Sequence, residues 1–212
     1  MAPTPSRPPS ARPPSSSACN LRQEAEGTLL LASRSPQRRA ILEQLHIAFE
    51  VLAVDVDEIA HGEPVEVARA NALSKARAAA TQHPAATVLG VDTIVALDGE
   101  IYGKPLSKAA ARDTLRRLSG RTHDVISGLA LIRSGKPQVV HEVTKVTFRA
   151  LDDELIRRYV ETGEWLERAG GYAIQGQGAG LVRAISGDYL NVVGLPVAAL
   201  LDLDLRLMLR QD

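Results

Sequence analysis

A single carboxylate interrupts the aliphatic run Val88-Leu89-Gly90-Val91-Asp92-Thr93-Ile94-Val95. Strand alternation sets Asp92 on one face with Val88, Gly90 and Ile94, so the acid shares an apolar surface while Thr93 faces the other way. An ionised carboxylate left unpaired there would be strongly disfavoured. A partner is required, and it is a metal ion, a lysine or a set of backbone N–H groups. A structural ion pair and a functional site are the two readings open to such an acid.

Three arginines crowd Ser33-Arg34-Ser35-Pro36-Gln37-Arg38-Arg39. Ser35 suits an N-cap and Pro36 the first helical position, so free backbone N–H groups are expected to open there. Cations at that positive helix end are unfavourable by ~0.3–1 kcal/mol each. Their clustering points either to an anion such as phosphate or to a solvated basic helix start. With Ile41, Leu42 and Leu45 as the buried stripe, Arg38 is expected to face a cleft.

Ala68, Ala72, Ala76 and Ala79 make a small-residue stripe, and Lys75 falls inside it. Lys75 either snorkels past the core edge or aims a compact cation at a phosphate. Lys104 sits in Gly103-Lys104-Pro105, stiffened by the proline and by the Ser107 cap that follows. Asp57 and Glu58 offer carboxylates to a divalent cation, or simply form an exposed acidic turn. Residues 169–180 hold five glycines in twelve positions. Such a segment either wraps a ligand or is merely flexible, and its spacing is neither a P-loop nor a dinucleotide fingerprint. Gln175 within it carries both a donor and an acceptor, which suits reading a base edge.

Elements must hold these residues. From residue 28 onward short aliphatic runs alternate with helix-like stretches, which predicts an α/β domain over 28–212. Strands are expected at 28–32, 49–54, 88–97, 124–132, 139–148 and 181–185, and helices at 36–46, 64–82, 108–118, 152–161 and 196–209. Ser134-Gly135-Lys136-Pro137 reads as a hairpin turn, so the sheet is expected to be mixed. Residues 1–27 set Pro3, Pro5, Pro8, Pro9, Pro13 and Pro14 among serines. They are expected to form a disordered tail that activity does not need.

Composition narrows the function classes. Lys+Arg and Asp+Glu each number 25, so no diffuse basic surface for nucleic acid is expected. Aromatic residues make up 3% of the chain, which is sparse for base-stacking platforms. The lone Cys19 can form neither an internal disulfide nor a sulfur-bound metal cluster. No apolar run is long enough to span a bilayer, so no membrane partner is expected. Without a targeting signal, the cytoplasm is the default compartment.

In order and spacing, Ser33-x-Ser35-Pro36-x-Arg38, Lys75, Gly90-Val91-Asp92-Thr93, Gly103-Lys104-Pro105, Leu118-Ser119-Gly120 with His123, and Gly171-Tyr172-Ala173-Ile174-Gln175-Gly176 resemble the Maf family. The resemblance covers essentially everything except the tail. Members of that family are nucleoside triphosphate pyrophosphatases related in fold to the inosine-triphosphate pyrophosphatases. The resemblance therefore implies an elongated, two-lobed α/β fold, with a mixed twisted sheet, flanking helices and a central cleft. It implies hydrolysis of nucleoside triphosphates between the α and β phosphates to a monophosphate and pyrophosphate, with a divalent cation, Mg²⁺ or Mn²⁺, as cofactor. A homodimer is compatible with it.

Residue by residue, the resemblance makes Asp92 the proton acceptor and, with Glu58, a metal ligand. It places Ser35, Arg38, Lys75 and Lys104 on the substrate phosphates. Substrate preference falls to Gln37, Thr93 and Gln175. The family branch acting on dTTP and UTP typically has Arg, Thr and Gln there, and the branch acting on 7-methyl-GTP has Trp, Gln and Glu. This chain agrees with the first branch at Thr93 and Gln175 and with neither at Gln37. Arg34, where small residues are usual, is a second departure. The expected substrates are dTTP and UTP, or modified nucleotides in a house-cleaning role.

Such an assignment is physically coherent, because phosphoryl transfer needs dispersed positive charge and a positioned water more than a covalent nucleophile. The rival reading is a nucleotide-binding regulator of septum formation with little turnover.

Overall fold

The computed structural model describes residues 29–208. The Pro/Ser-rich segment and Cys19 lie outside the described residues. Aliphatic alternation is densest in β3 (Thr87–Leu97), β5 (Thr122–Arg133) and β6 (Lys136–Phe148), and these form the antiparallel centre of a seven-stranded sheet. β1 (Leu29–Ala32) adds to β3 in parallel, and β2 (Phe49–Val51) adds to β1 in parallel. β7 (Val182–Ser186) closes the opposite edge antiparallel to β6. The sheet is mixed, as expected. At the β5–β6 hairpin Ser134 and Gly135 both have positive φ, 48° and 73°. The turn is therefore these two residues, and Lys136 and Pro137 already belong to the strand.

Helices α1 (Pro36–Gln44), α2 (Pro64–Gln82), α3 (Lys108–Leu118), α4 (Asp153–Glu161), α5 (Tyr189–Val193) and α6 (Val197–Leu203) flank the sheet. Among the described residues no helix is long and apolar enough to cross a membrane.

Several expectations need correction. β2 stops at Val51 instead of residue 54, and residues 52–60 follow without regular structure. A three-residue strand, β4 (Glu100–Tyr102), pairs with the end of β3 across the Asp98-Gly99 turn, and neither it nor α5 was foreseen. The expected helix 196–209 breaks at Asp204, whose buried carboxylate binds Arg133 and Arg206. This tertiary pairing ends the helix, and a 3₁₀ turn over Leu205–Met208 follows. The glycine-rich segment is no open loop, since it folds as two 3₁₀ turns, Ala169–Gly171 and Gly176–Leu181.

A polar seam crosses the sheet and divides its core. On one face of β3, Leu89 and Val91 join Ile41 and Leu42 of α1, whereas Val95 and Leu97 join Leu115 and Leu118 of α3. Thr93 stands between the two clusters, paired in register with Ser127 of β5. On the other face, Val88 packs with Ala72, Ala76 and Ala79, and Ile94 and Ala96 pack with Ala68. Asp92 stands between them, in register with Gly128. The small-residue stripe of α2 settles onto glycines here. A Cβ at Gly90 would lie 2.2 Å from Ala72 O, and one at Gly128 2.2 Å from Ala68 O. Only glycine at both positions lets α2 approach this closely, and the approach brings its polar side chains to Asp92.

The sheet also opens at the seam. β1 pairs with β3 as far as Gly90, and β4 pairs from Val95 onward along the same edge. Among the described residues, 91–94 carry no strand there, and the expected cleft lies in that gap. His123, from the fifth motif, is buried elsewhere, 2.8 Å from the Tyr172 hydroxyl and edge-on to Phe148. Burial pushes its pKa down to about 4, so it is neutral at neutral pH and serves the core.

Candidate active site

The gap in the sheet edge is the floor of a cavity of about 770 Å³. Ser35, Gln37, Arg38, Glu58, Lys75, Asp92, Thr93 and Lys104, all singled out from the sequence, line it together. Gln175 does not. It lies in an adjoining recess of about 200 Å³ that shares Gln37 and Arg168 with the main cavity. Asp55 and Glu58 line the cavity from the irregular 52–60 segment, and Asp57 does not.

The loop after β1 carries the first group. Ser35 occupies the N-cap position and Pro36 begins α1, but the Ser35 side chain makes no capping bond. Its Oγ donates to Gln37 Oε1 at 3.2 Å, while its N–H donates to Ser33 Oγ at 3.2 Å. The expected cap is thus absent, and the first-turn N–H groups of α1 have no side-chain acceptor from Ser35.

Arg38 is buried and every guanidinium nitrogen is engaged. Nε donates to Gly194 O at 2.9 Å, Nη1 to Ser33 Oγ at 2.7 Å and Nη2 to Thr93 Oγ1 at 3.1 Å. Thr93 Oγ1 lies 2.8 Å from the wholly buried Ser127 Oγ. All these partners are neutral oxygens. Burial pushes the Arg38 pKa down, opposed by the fields of Asp92 and Glu58. Arg38 is a preset cation on the cavity wall, held in shape without a contacting carboxylate among the described residues.

On the opposite face, Asn71 and Lys75 stand one turn apart on α2 and grip both Asp92 oxygens. Lys75 Nζ is 2.6 Å from Asp92 Oδ1, and Asn71 Nδ2 donates to Asp92 Oδ2 at 3.1 Å. The same two side chains also fasten the irregular segment. Lys75 Nζ is 2.6 Å from Glu58 Oε1, and the Asn71 amide exchanges bonds with Ile59 N–H at 2.8 Å and Ile59 O at 3.0 Å. Of the partners foreseen for Asp92, the structure supplies the lysine. Lys75 itself neither snorkels nor stands free, since its side chain is 12% exposed between two carboxylates. Lys104, by contrast, is exposed on its loop and pairs with Glu167 at 3.0 Å.

Asn71, Ser127 and Arg168 escaped the sequence reading, as did the cavity-lining Asp55. Asn71 lies four residues before Lys75 and so shares its helix face. Ser127 interrupts Val125-Ile126-Ser127-Gly128-Leu129 just as Asp92 interrupts its own run. Arg168 gives no comparable signal.

Fold and site together define a mixed α/β protein with a cleft, in which a buried guanidinium and a lysine-paired carboxylate line one cavity. The chain belongs to the Maf-like protein family, whose model matches residues 28–206. It is similar to proteins named dTTP/UTP pyrophosphatase. That of Symbiobacterium thermophilum is 52% identical over 171 residues, covering 80% of this chain and 88% of that protein. That of Bacillus cytotoxicus is 46% identical over 173 residues, 81% and 91% of the two chains. That of Pyrococcus furiosus is 45% identical over 179 residues, 82% and 93%.

Proposed function

We propose that this protein is a nucleoside triphosphate pyrophosphatase that hydrolyses dTTP and UTP between the α and β phosphates, yielding the monophosphate and pyrophosphate. The carrying observation is the meeting of Arg38, Lys75, Lys104, Glu58 and Asp92 in one cavity from elements far apart in the chain. Relatives bearing that name at 45% to 52% identity support the choice of substrate.

In this reading the triphosphate lies along the Arg38 and Lys104 side, with the first turn of α1 offering further N–H donors. Asp92 accepts the proton of a water attacking the α-phosphorus. Asn71 and Lys75 hold that carboxylate's orientation, and Lys75 is the counter-charge that keeps Glu58 and Asp92 close together. Arg38 needs no rearrangement to receive phosphate oxygens, so its preset charge holds the triphosphate equally in the ground state and the transition state.

The carboxylates also suit a divalent cation. Glu58 Oε1 and Asp92 Oδ1 already meet at the Lys75 ammonium, 2.6 Å from each, so a cation would be held by the remaining lone pairs of these two carboxylates. Mg²⁺ and Mn²⁺ take such hard oxygen donors and commonly rely on one or two carboxylates plus substrate phosphates. Among the described residues no cluster of three or more His, Cys, Asp or Glu side chains offers an all-protein cage. Glu58 and Asp92 would hold the ion, and the chemistry it supplies when bound is neutralisation of phosphate charge.

The test is pyrophosphate release from a panel of UTP, dTTP, CTP, GTP and ATP with Mg²⁺ or Mn²⁺, read as phosphate after adding inorganic pyrophosphatase. UTP and dTTP should lead, with UMP and pyrophosphate formed in equal amounts. Silence across the panel would overturn the reading in favour of a nucleotide-binding regulator.

A further inference from the structure

Between the main cavity and the recess stands a guanidinium that nothing in the mechanism has used. Arg168 lines both spaces. Its backbone is fixed by an unusual bend: Glu167 has φ +57°, Gly170 +68° and Gly171 +66°. A Cβ on Gly170 would stand 2.8 Å from Val95 Cγ2, and one on Gly171 2.9 Å from Pro105 Cγ. The bend is therefore wedged between the end of β3 and the Lys104 loop, with Gly171 N–H donating to Arg168 O at 3.0 Å.

The head group, in contrast, is unclaimed. Arg168 Nε is buried and has no hydrogen-bond partner among the described residues. Glu164, whose field acts on Arg168, has its carboxylate engaged by Gln177 N–H and Gly178 N–H, each at 3.0 Å. A buried donor without an acceptor is unfavourable, and a ligand carrying an acceptor relieves it. The recess beside it is lined by Gln37 and Gln175, whose amides match a base edge but bring no positive charge. The cavity on its other side already has Arg38 and Lys104 for phosphate.

We infer that Arg168 recognises the nucleobase, donating hydrogen bonds to a ring carbonyl oxygen of a pyrimidine seated in the Gln37–Gln175 recess. The inference rests on the pyrophosphatase reading and names a specificity residue within it. Uracil and thymine each present two carbonyl oxygens to such a donor, and adenine presents none.

The test compares Arg168→Met, which keeps the apolar stem, with the intact protein. A site built to hydrogen-bond a substrate group discriminates strongly against analogues lacking it, so kcat/KM for UTP and dTTP should fall by about tenfold or more while ATP changes by less than about twofold. Equal losses for all nucleotides would place Arg168 on phosphate and overturn the inference, as would no loss for UTP. Should the Met variant fail to fold, Arg168→Lys keeps the charge without the planar fork and should lose the same selectivity. Calorimetric binding of UMP and AMP provides a readout free of turnover: the variants should weaken UMP alone, and unaltered UMP affinity refutes the assignment. If the intact protein cleaves no triphosphate, the pyrophosphatase reading fails, while the UMP and AMP titrations still decide Arg168.

Discussion

The two faces of β3 meet at the peptide bond between Asp92 and Thr93, yet they carry opposite charge. Toward α2, the carboxylates of Asp92 and Glu58 share the single ammonium of Lys75, so the cluster keeps a negative excess. Toward α1, Arg38 is held by Gly194 O, Ser33 Oγ and Thr93 Oγ1, so that side keeps a positive charge. Had Arg38 touched Asp92, the pair would be neutral, offering neither a proton acceptor nor an anion holder. Strand alternation keeps them apart by one residue while both line the same cavity. The negative side suits water and a cation, and the positive side suits a triphosphate.

The most severe break of this asymmetry is Asp92→Asn, which removes the proton acceptor and leaves Lys75 with Glu58 alone. Loss of a positioned general base is expected to lower kcat for UTP by about 10³-fold, about 4 kcal/mol of barrier. Steady-state pyrophosphate release measures it, with nucleotide affinity nearly kept. Near-normal kcat in a folded variant would remove Asp92 from the chemistry.

Arg38→Met attacks the positive side. It should raise KM for UTP by about 10²-fold, the scale of a lost charge-assisted contact. The midpoint of thermal unfolding should hardly move, because the variant loses three hydrogen bonds but also relieves a buried cation with no contacting carboxylate. A large drop in stability with unchanged KM would make Arg38 structural, and the comparison between the faces would collapse.

How much of this was legible in the sequence follows from the range of each signal. Asp92 stood out because two-residue alternation is local, and the alanine stripe of α2 because helical periodicity is local. Their meeting followed from the family resemblance and not from either local pattern. It depends on Gly90 and Gly128 lying beneath Ala72 and Ala68, a registration set by packing of remote segments. The same holds for Asn71, whose amide finds Ile59 and Asp92 only after α2 docks. The three residues of β4 are too few for any period to show. The end of α6 was misjudged because Arg133 on β5 captures Asp204, and no residue near 204 announces that. Gln175, expected to govern substrate preference, lies in the recess beside the main cavity, because the 3₁₀ turn that follows it is capped by Glu164.

The finest distinction between the faces concerns Ser127, which touches no charged group. It is wholly buried, and its hydroxyl is 2.8 Å from Thr93 Oγ1, the oxygen that accepts from Arg38 Nη2. Because Thr93 accepts from Arg38, its own hydrogen is free to point at Ser127, so the two hydroxyls form a chain ending on the guanidinium. Ser127→Ala removes the far link while leaving Lys75, Asn71 and Asp92 untouched. A single neutral hydrogen bond contributes about 1 kcal/mol, so KM for UTP should rise about threefold to fivefold with kcat unchanged. A matching fall in kcat would mean that the faces act as one unit. A change confined to KM means that the positive face binds while the negative face reacts, and that one strand keeps the two functions separate.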